Sequence, residues 1–384
     1  MRQSGVVAGD VKVLHIFRDA FPPTYGGIEQ HIWDVSRSLA GREFEFAVLA
    51  STRGHRRSEQ RVDGVAIVRS PEHGRVLSTP VTTAWWREIR DARPAALHVH
   101  APQPTAEAVV TTRRPDIPLV VTVHAHGVRY PALSNAYERL QRRLLARADR
   151  IVVGSQVLAD TSPSLARHRD RTVVIPYGVD ARDSPPDPEL VAALRRVHGP
   201  IVLYLGRLVA YKGLEVLIEA MRTVDATLLV VGDGPERRRL ERVAATVAPR
   251  RPVRFVGNVT NDERSAYQQA ADVFVLPSVS RAESFGIAML EAMSRGTPAI
   301  STEVGTATSW VNRPGETGLV VPPRDPRALT DAIETLLADD ELRLALGSAA
   351  ALRARRHFSK QAMLDRLAEV YRVAASDRRA RTSR

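Results

Sequence analysis

Short apolar runs alternate with amphipathic helical stretches along the chain, and this alternation occurs twice. The runs are rich in Val, Ile and Leu and too short for helices, which is typical of strands buried on both faces of a parallel sheet. A helix between consecutive strands returns the chain for a parallel pairing. The sequence therefore predicts an α/β fold with two doubly wound sheets. The first runs from Val11–Phe17 to Thr172–Ile175, and the second from Ile201–Gly206 to Gly318–Val321.

The length of the chain, 384 residues, also favours two domains over one. The stretch Ala181–Gly199 begins with Asp, Ser and Pro residues and is interpreted as the connection between the domains. The predicted organisation is an N-terminal Rossmann-like domain over residues 1–183, a C-terminal Rossmann-like domain over residues 184–358, and a final helix and tail over residues 359–384.

The composition excludes several classes of protein. Apolar residues make up 44% of the chain, which favours packed domains over disorder. No apolar run reaches the roughly 18 residues of a membrane-spanning helix. The absence of cysteine excludes disulfides and thiolate metal sites. The N-terminal apolar stretch is short and resembles a first strand more than a signal peptide, so we expect a cytoplasmic protein.

The net charge of +12 is dispersed along the chain, which weakens a nucleic-acid-binding interpretation. One basic cluster, Arg139, Arg142, Arg143 and Arg147, has near-helical spacing. It is either a solvated helix face or a contact with anionic lipid headgroups. A peripheral position at the inner face of a membrane is therefore left open.

Several residues of the first half follow directly after predicted strands, where open α/β sheets bind ligands. Gly26 and Gly27 open a helix and either bind a phosphate or form a plain turn. His124 leaves a strand and either contacts a sugar hydroxyl, shuttles a proton or is structural. His98 and His100 lie on one face of a strand, where they are structural or, less favoured, metal ligands. We expect no metal.

In the second half of the chain, two basic residues follow the end of the first predicted strand. Gly206 and Arg207 follow the strand, and Lys212, one of only three lysines in the chain, precedes a helix. An arginine fork and a lysine point charge together suit a diphosphate, although a surface salt bridge is the alternative. Gly232 and Gly234 form a turn after the next strand, which is either close to a base or ribose or purely structural.

Residues 276–301 carry the densest set of candidates. A strand ends at Leu276, Glu283 lies in the following loop, Phe285 and Gly286 open a helix, and Glu291 lies within it. The helix start offers N–H groups to a phosphate. Glu283 can accept hydrogen bonds from sugar hydroxyls, whereas Glu291, about 12 Å further along the helix, can reach ribose hydroxyls.

These residues, taken together, resemble the motifs of the retaining, two-domain (GT-B fold) glycosyltransferases of family four, also described as glycosyl transferases group 1. The Glu-x-Phe-Gly-x4-Glu core and the Arg-x4-Lys pair are the specific parts. The resemblance extends over nearly the whole chain through Gly26–Glu29, His124, Ile175–Asp180, Gly206–Arg207, Lys212–Gly213, Val231–Pro235, Phe255–Gly257, Glu283–Gly286, Glu291–Ala292 and Thr317–Pro322.

The resemblance implies a role for each matching residue. Arg207 and Lys212 would hold the donor diphosphate, Glu291 the ribose and Glu283 the transferred sugar, with His124 beside that sugar. The two domains would face each other across a cleft, and the helix Gln361–Ala375 would cross back onto the first domain. The donor contacts that it implies come from Gly26, Gly27, Gly206, Gly232, Gly234, Ser284, Phe285, Gly286, Ile287 and Glu291.

The resemblance also implies an activity: transfer of a hexose from GDP-mannose or a UDP-hexose to a hydroxyl of a glycan, a lipid-linked acceptor or a small natural product. Such enzymes need no metal or other cofactor. The acceptor would contact the loops Phe21–Tyr25, Ser51–Asp63 and Gly127–Ser134, and the oligomeric state is not predicted. One departure is Tyr177, where the family usually has Asn. The alternatives are a sugar-nucleotide epimerase of the same fold, a PLP-dependent phosphorylase and a nucleic-acid-binding module.

Overall fold

The computed structural model describes residues 11–22, 26–76, 79–125 and 131–382, and the side chains of residues 131–134 and 377–382 lie outside that description. Three parts of the predicted acceptor surface and tail therefore fall outside the described residues: Pro23–Tyr25, residues 127–130 with the side chains of 131–134, and the basic side chains of Arg378, Arg379, Arg381 and Arg384.

The described chain alternates strands and helices as the apolar pattern predicts. The strands are β1 (Val11–Ile16), β2 (Phe44–Thr52), β3 (Ser58–Val62), β4 (Val65–Pro71), β5 (Gly74–Val76), β6 (Thr79–Val81), β7 (Ala96–Ala101), β8 (Leu119–Val123), β9 (Arg150–Val153), β10 (Thr172–Val174), β11 (Ile201–Leu205), β12 (Thr227–Val231), β13 (Val253–Gly257), β14 (Val273–Leu276), β15 (Ala299–Thr302) and β16 (Gly318–Val321).

The helices follow the same order. They are α1 (Gly27–Leu39), α2 (Trp85–Ala92), α3 (Pro104–Arg113), α4 (Pro131–Arg147), α5 (Gln156–Thr161), α6 (Pro188–His198), α7 (Leu214–Ala220), α8 (Arg237–Val247), α9 (Asn261–Ala270), α10 (Ile287–Ser294), α11 (Thr308–Val311), α12 (Pro326–Ala338), α13 (Asp340–His357) and α14 (Lys360–Thr382).

The chain forms two compact units, Met1–Pro176 with Gln361–Arg384, and Tyr177–Lys360. The division falls after Pro176, ahead of the predicted boundary at 183/184. The reason is that the intervening residues already pack in the second unit: the Tyr177 ring lies 4.8 Å from that of Phe285, and the Val179 amide donates to the Phe358 carbonyl at 2.9 Å. The last helix belongs to the first unit.

Each unit contains a doubly wound sheet. In the first, the order is β10-β9-β8-β7-β1-β2-β4-β3, and the pairs are parallel except β3 with β4. In the second, the order is β13-β12-β11-β14-β15-β16, with parallel pairs throughout its described residues. The strand order therefore reverses between β1 and β7 in the first sheet and between β11 and β14 in the second. The prediction of two doubly wound sheets is confirmed.

The last helix completes the core of the first unit. Apolar residues of α14, among them Leu364, Leu367 and Tyr371, pack with those of α1 on one face of the sheet. The opposite face packs against α2, α3 and α4. Covering both faces is the physical reason that the strands of a parallel sheet are continuously apolar.

The prediction that Ala181–Gly199 is only a connection is wrong in part, because α6 lies within it. Asp187 accepts hydrogen bonds from the amides of Glu189 and Leu190, and Pro188 occupies the first helical position. The Asp-Pro sequence that suggested a linker is thus a helix start. The polar edge strand β3 and the short pair β5–β6 were also missed, since exposed strands lack an apolar run.

The four arginines of the basic cluster lie on α4, but they do not all face the solvent. Arg139, Arg142 and Arg143 are exposed, whereas Arg147 turns inward and donates to the carbonyls of Val110, at 2.7 Å, and Pro115. Arg147 therefore does not belong to the basic face that was predicted from the spacing. In the part of the chain that the structure describes, no helix is both long enough and apolar enough to span a bilayer.

Candidate functional site

The topology of the second unit brings two loops together. Because the strand order reverses at β11 and β14, the loops that follow these strands leave the same edge of the sheet side by side. This is the place where open α/β sheets bind ligands. Arg207 and Lys212 lie after β11, and Glu283 lies after β14.

Backbone contacts hold these two loops against each other. The Val279 amide donates to the Tyr211 carbonyl at 2.9 Å. A Cβ on Gly213 would lie 2.0 Å from the carbonyl oxygen of Pro277, so a side chain there would force the loops apart. Their close approach places Lys212 beside Glu283.

Lys212 and Glu283 form a nearly buried ion pair. Nζ lies 2.5 Å from Oε2, and the side chains are 14% and 9% exposed. Burial by itself lowers the pKa of Lys212, but the Glu283 carboxylate, with Tyr211 and Tyr204, outweighs burial and raises it. Lys212 is therefore a permanent positive charge at this edge of the sheet.

A third loop fixes Glu283 in place. Ser278 donates its hydroxyl to the same Oε2 at 3.2 Å, and the Thr306 hydroxyl donates to the Glu283 carbonyl at 2.7 Å. The Ala307 amide donates to the Ser284 carbonyl at 3.1 Å. Within the described part of the chain, Glu283 Oε1 accepts no hydrogen bond and remains available to a ligand. Neither Ser278 nor Thr306 was predicted, because single hydroxyl residues leave no sequence signal.

The helix start beside Glu283 has backbone N–H groups that donate to no side chain among the described residues. Gly286 precedes α10 with φ 85° and ψ 52°, a left-handed conformation that favours glycine. It offers no side-chain cap, so the first amides of α10 lack an intrahelical acceptor. Ile287 is the first residue of this helix. A helix start of this kind is a ready anion-binding site.

Phe285 anchors this helix start in an aromatic cluster. Its ring lies 4.8 Å from Tyr177, 5.9 Å from Phe358 and 6.2 Å from Trp310. Tyr177 is the position where the resemblance expects Asn. Here it is a buried residue that packs against Phe285, so its contribution to the site is structural.

Glu291 is held by residues that the sequence did not indicate. Arg264 Nη2 contacts Glu291 Oε2, and Gln268 donates to the same oxygen at 3.2 Å. The Glu291 side chain is 23% exposed. Arg264 and Gln268 lie on α9 at helical spacing, so only the packing of α9 against α10 brings them to Glu291. The second carboxylate oxygen makes no hydrogen bond with any described residue.

Arg207 differs from Lys212 in having no acidic partner among the described residues. Its side chain is exposed and makes no ion pair within residues 11–22, 26–76, 79–125 and 131–382. For Arg207, the predicted alternative of a surface salt bridge is therefore not seen among the described residues, whereas Lys212 does form an ion pair, with Glu283. Next to it, a Cβ on Gly232 would lie 2.2 Å from the Gly206 carbonyl oxygen, and one on Gly234 would lie 2.3 Å from that of Leu208. These glycines allow the first two loops of the sheet to pack.

The predicted residues of the first unit lie at the carboxyl edge of its own sheet. Gly26 is extended (φ −166°, ψ 156°), and Gly27 begins α1 without a side-chain cap. His124 follows β8 and is 4% exposed. His98 and His100 face the same side of β7, as predicted, and both are buried.

Two family models match the chain, one in each half, and known glycosyltransferases are similar to it over most of its length. The model described as "Glycosyltransferase Family 4" matches residues 25–183, and that described as "Glycosyl transferases group 1" matches residues 190–353. The chain is 30% identical to O-antigen chain mannosyltransferase C of Escherichia coli, over 94% of this chain and 98% of that protein. It is 33% identical to D-rhamnosyltransferase WbpZ of Pseudomonas aeruginosa, over 91% of this chain and 92% of that one.

The fold has a solved counterpart in sucrose-phosphate synthase from Thermosynechococcus elongatus, with a TM-score of 0.81, 24% identity, and coverage of 96% of this chain and 100% of that one. The fold and the relatives together define a sugar-nucleotide-dependent glycosyltransferase of the GT-B type. The chain belongs to glycosyltransferase family four, the glycosyl transferases group 1, as its motifs predicted.

Proposed function

We propose that this chain is a retaining hexosyltransferase, which moves a hexose from a nucleoside-diphosphate sugar to a hydroxyl of a glycan, a lipid-linked glycan or a small natural product. The observation that carries the proposal is the grouping of Lys212, Glu283 and the start of α10 at one edge of the second sheet. A cation and a helix start suit a diphosphate, and the carboxylate beside them suits sugar hydroxyls.

The main requirement for this reaction is to stabilise the negative charge that develops on the departing nucleotide. Arg207, Lys212 and the first amides of α10 stabilise the diphosphate as the bond to the sugar breaks. Lys212 can hold a phosphate while paired, because its ammonium has three donors and Glu283 occupies one. No metal is required for this charge balance, and we propose that none takes part.

Transfer with retention is what the family resemblance implies, and the ion pair of Glu283 argues against a covalent intermediate on this residue. The Glu283 carboxylate is neutralised by an ammonium at 2.5 Å, which makes it a poor nucleophile, while Oε1 stays open to a sugar hydroxyl. The acceptor hydroxyl then attacks from the face that the nucleotide leaves, and its proton passes to the departing diphosphate oxygen as the bond between sugar and phosphate breaks. Glu291, with its free oxygen, binds the ribose.

GDP-mannose is the first donor to test, because one curated relative that spans almost the whole chain is named a mannosyltransferase. We expect GDP-mannose at about 100 times its Kd to stabilise the folded protein by about 2.7 kcal/mol, measured as a thermal shift. UDP-glucose and dTDP-glucose are the matched comparisons. A larger shift with either would reassign the donor, and no shift with any nucleotide sugar would contradict the proposal.

The stereochemical outcome is tested on the product. With GDP-α-mannose and a hydroxyl acceptor, proton NMR should show an α-linked mannose from the first turnover. A β-linked product would rule out retention. Conversion of the donor to a different sugar nucleotide in the absence of acceptor would instead indicate an epimerase.

Replacing Glu291 with alanine should raise the donor KM about tenfold or more, since a charged hydrogen bond to a ribose hydroxyl contributes about 1.5–3 kcal/mol. Steady-state kinetics with varied donor would measure this. Glu241→Ala is the matched control, because it breaks another arginine–glutamate pair of the same unit, Arg237–Glu241 at 2.9 Å. If both variants behave alike, Glu291 has no role in donor binding.

A further inference from the structure

A buried glutamine connects Glu291 to an arginine at the end of the same helix. Gln268 on α9 is 1% exposed, and its Nε2 donates to Glu291 Oε2 at 3.2 Å. On its other side, Arg295 Nε donates to Gln268 Oε1 at 3.0 Å. Glu291 lies within α10, and Arg295 follows directly after that helix. The proposed function uses Glu291 and leaves Gln268 and Arg295 without a role.

The two neighbours of Gln268 require the same orientation of its amide group. A guanidinium group only donates hydrogen bonds, and a carboxylate only accepts them. With the amide turned over, its oxygen would face the carboxylate and its NH₂ group would face the guanidinium, so both contacts would be repulsive. Because Arg295 binds the amide oxygen, Gln268 presents an N–H group to Glu291.

Arg295 is itself held by three further hydrogen bonds. Its Nη2 donates to the Ser184 carbonyl at 2.9 Å and to the Ser265 hydroxyl at 2.8 Å, and its Nη1 donates to the Ala181 carbonyl at 3.3 Å. Ser265 and Gln268 lie three residues apart on α9, so one guanidinium group reaches both. Arg295 therefore cannot rotate away from Gln268 without losing these bonds.

Arg264 also contacts Glu291 Oε2, but it lacks comparable support. It makes this contact through Nη2, whereas its Nε is buried without a hydrogen-bond partner in the part of the chain that the structure describes. A guanidinium group fixes the geometry of a carboxylate best when it binds through two nitrogens. Arg264 thus supplies attraction, and Gln268, which is braced at both ends of its amide, supplies direction.

This arrangement leaves one oxygen of Glu291 for a ligand. Both donors bind Oε2, and Oε1 makes no hydrogen bond with any described residue. Glu291 lies four residues after Ile287, the first residue of α10, so the two lie on the same face of the helix. The start of α10 is the proposed diphosphate site, and the ribose of a sugar nucleotide is attached directly to its diphosphate.

We propose that Arg295 and Gln268 are positioning residues, which hold Glu291 so that its Oε1 accepts a hydrogen bond from a ribose hydroxyl of the sugar nucleotide. The inference rests on the proposed function, which assigns Glu291 to the ribose. Arg295 acts on Gln268, and Gln268 acts on Glu291. The donor site therefore selects nucleotides by their ribose hydroxyls, and this selectivity depends on Arg295.

A purely structural role for Arg295 is the competing explanation, because its bonds to Ala181 and Ser184 tie the segment before α6 to α9. A structural role predicts that loss of Arg295 weakens the binding of all nucleotides alike. The positioning role predicts a loss that occurs only when the nucleotide carries ribose hydroxyls. Changing the ribose of the ligand therefore separates the two explanations.

The test is isothermal titration of the whole protein with GDP and with dideoxy-GDP, which lacks both ribose hydroxyls, and with the matching pair of uridine nucleotides. In the unmodified protein, the preferred ribonucleotide should bind about tenfold or more tightly than its dideoxy form, since a charged hydrogen bond is lost. In Arg295→Met, this ratio should fall to about threefold or less, through weaker binding of the ribonucleotide alone. Arg195→Met is the matched control, because Arg195 donates to the main-chain carbonyls of Gln269 and Ala270 on α9. It should keep the ratio.

A second variant tests the route from Arg295 to Glu291. Gln268→Met should lower the ratio to the same extent, and in Gln268→Met/Arg295→Met the ratio should fall no further. Gln268→Met keeps the other bonds of Arg295, so it gives the same decision if Arg295→Met does not fold. An unchanged ratio in either folded single variant, or a further fall in the double variant, would overturn the proposal.

Assays of sugar transfer distinguish this inference from the proposed function. Ribose-dependent binding that is lost in Arg295→Met, together with no transfer by the unmodified protein, would defeat the proposed function and leave the positioning role standing. Transfer by the unmodified protein, together with an unchanged ratio in Arg295→Met, would defeat the positioning role alone. Failure of every nucleotide to bind would defeat both.

Discussion

Replacing Lys212 with alanine is expected to lower kcat for sugar transfer about a thousandfold, since removing one preorganised donor from a developing anion has an effect of about this size. The ammonium is held at the proposed donor site before a donor binds, because Glu283 lies 2.5 Å away and raises its pKa. No movement is then needed when the diphosphate leaves. The measurement is single-turnover transfer at saturating donor.

A loss of stability could imitate this result. Lys212→Ala leaves the Glu283 carboxylate buried and uncompensated, which destabilises a fold by about 3–5 kcal/mol. The double variant Lys212→Ala/Glu283→Gln removes both charges and should recover most of that stability while remaining inactive. Arg207→Ala provides a second control, because this exposed side chain has no ion pair in the described residues. It should reduce transfer without changing the melting temperature. Near-normal turnover by Lys212→Ala would refute the diphosphate role.

Acidification from about pH 7.5 to about pH 5.5 is expected to destabilise the first unit by about 5 kcal/mol. Burial lowers the pKa values of His15 to about 3 and His31 to about 4, and those of His98, His100 and His124 also fall well below the ordinary value. The unfolded chain takes up protons near its ordinary histidine pKa and the folded unit does not. Stability therefore falls as the pH drops below about 6.5, by about 1.4 kcal/mol per histidine at pH 5.5.

Glu107 opposes this effect. Burial raises the pKa of Glu107 to about 7, against the hydrogen bonds from Gln103 and Tyr137, so the folded state takes up a proton that the unfolded state does not. Between about pH 7.5 and about pH 5.5, this proton uptake stabilises the folded state by about 2 kcal/mol. The five histidines destabilise it by roughly 7 kcal/mol over the same interval. The sum is still comparable with the whole stability of a typical domain.

Urea unfolding followed by tryptophan fluorescence can measure the pH dependence, because Trp33, Trp85 and Trp86 lie in the first unit and only Trp310 lies in the second. His98→Gln should reduce the difference in unfolding free energy between these two pH values by about 1.4 kcal/mol, whatever its effect at neutral pH. Glu107→Gln should increase the difference. A midpoint that does not fall at about pH 5.5 would contradict the expected net destabilisation by these histidines.

Lys212 and Glu283 were recognisable separately, as a rare lysine and as an acid before a helix. Their ion pair was not, because it depends on two loops that are distant in sequence and leave adjacent strands. Four other residues of the site left no signal in the sequence, since each acts through a contact that packing creates. They are Ser278, Thr306, Arg264 and Gln268.

In the rest of the molecule, too, the local sequence determined some features and tertiary packing determined the others. The apolar runs of the sequence by themselves determined the two parallel sheets, because burial on both faces requires continuous apolar strands. The Glu-x-Phe-Gly-x4-Glu motif likewise indicated the family, since its spacing is local to one loop and helix. Only the tertiary structure decided that Gly232 faces the Gly206 carbonyl, that Tyr177 packs on Phe285, and that His15, His100 and His124 share hydrogen bonds. Such contacts join segments that the chain separates, and short-range pattern carries no information about which of them will meet.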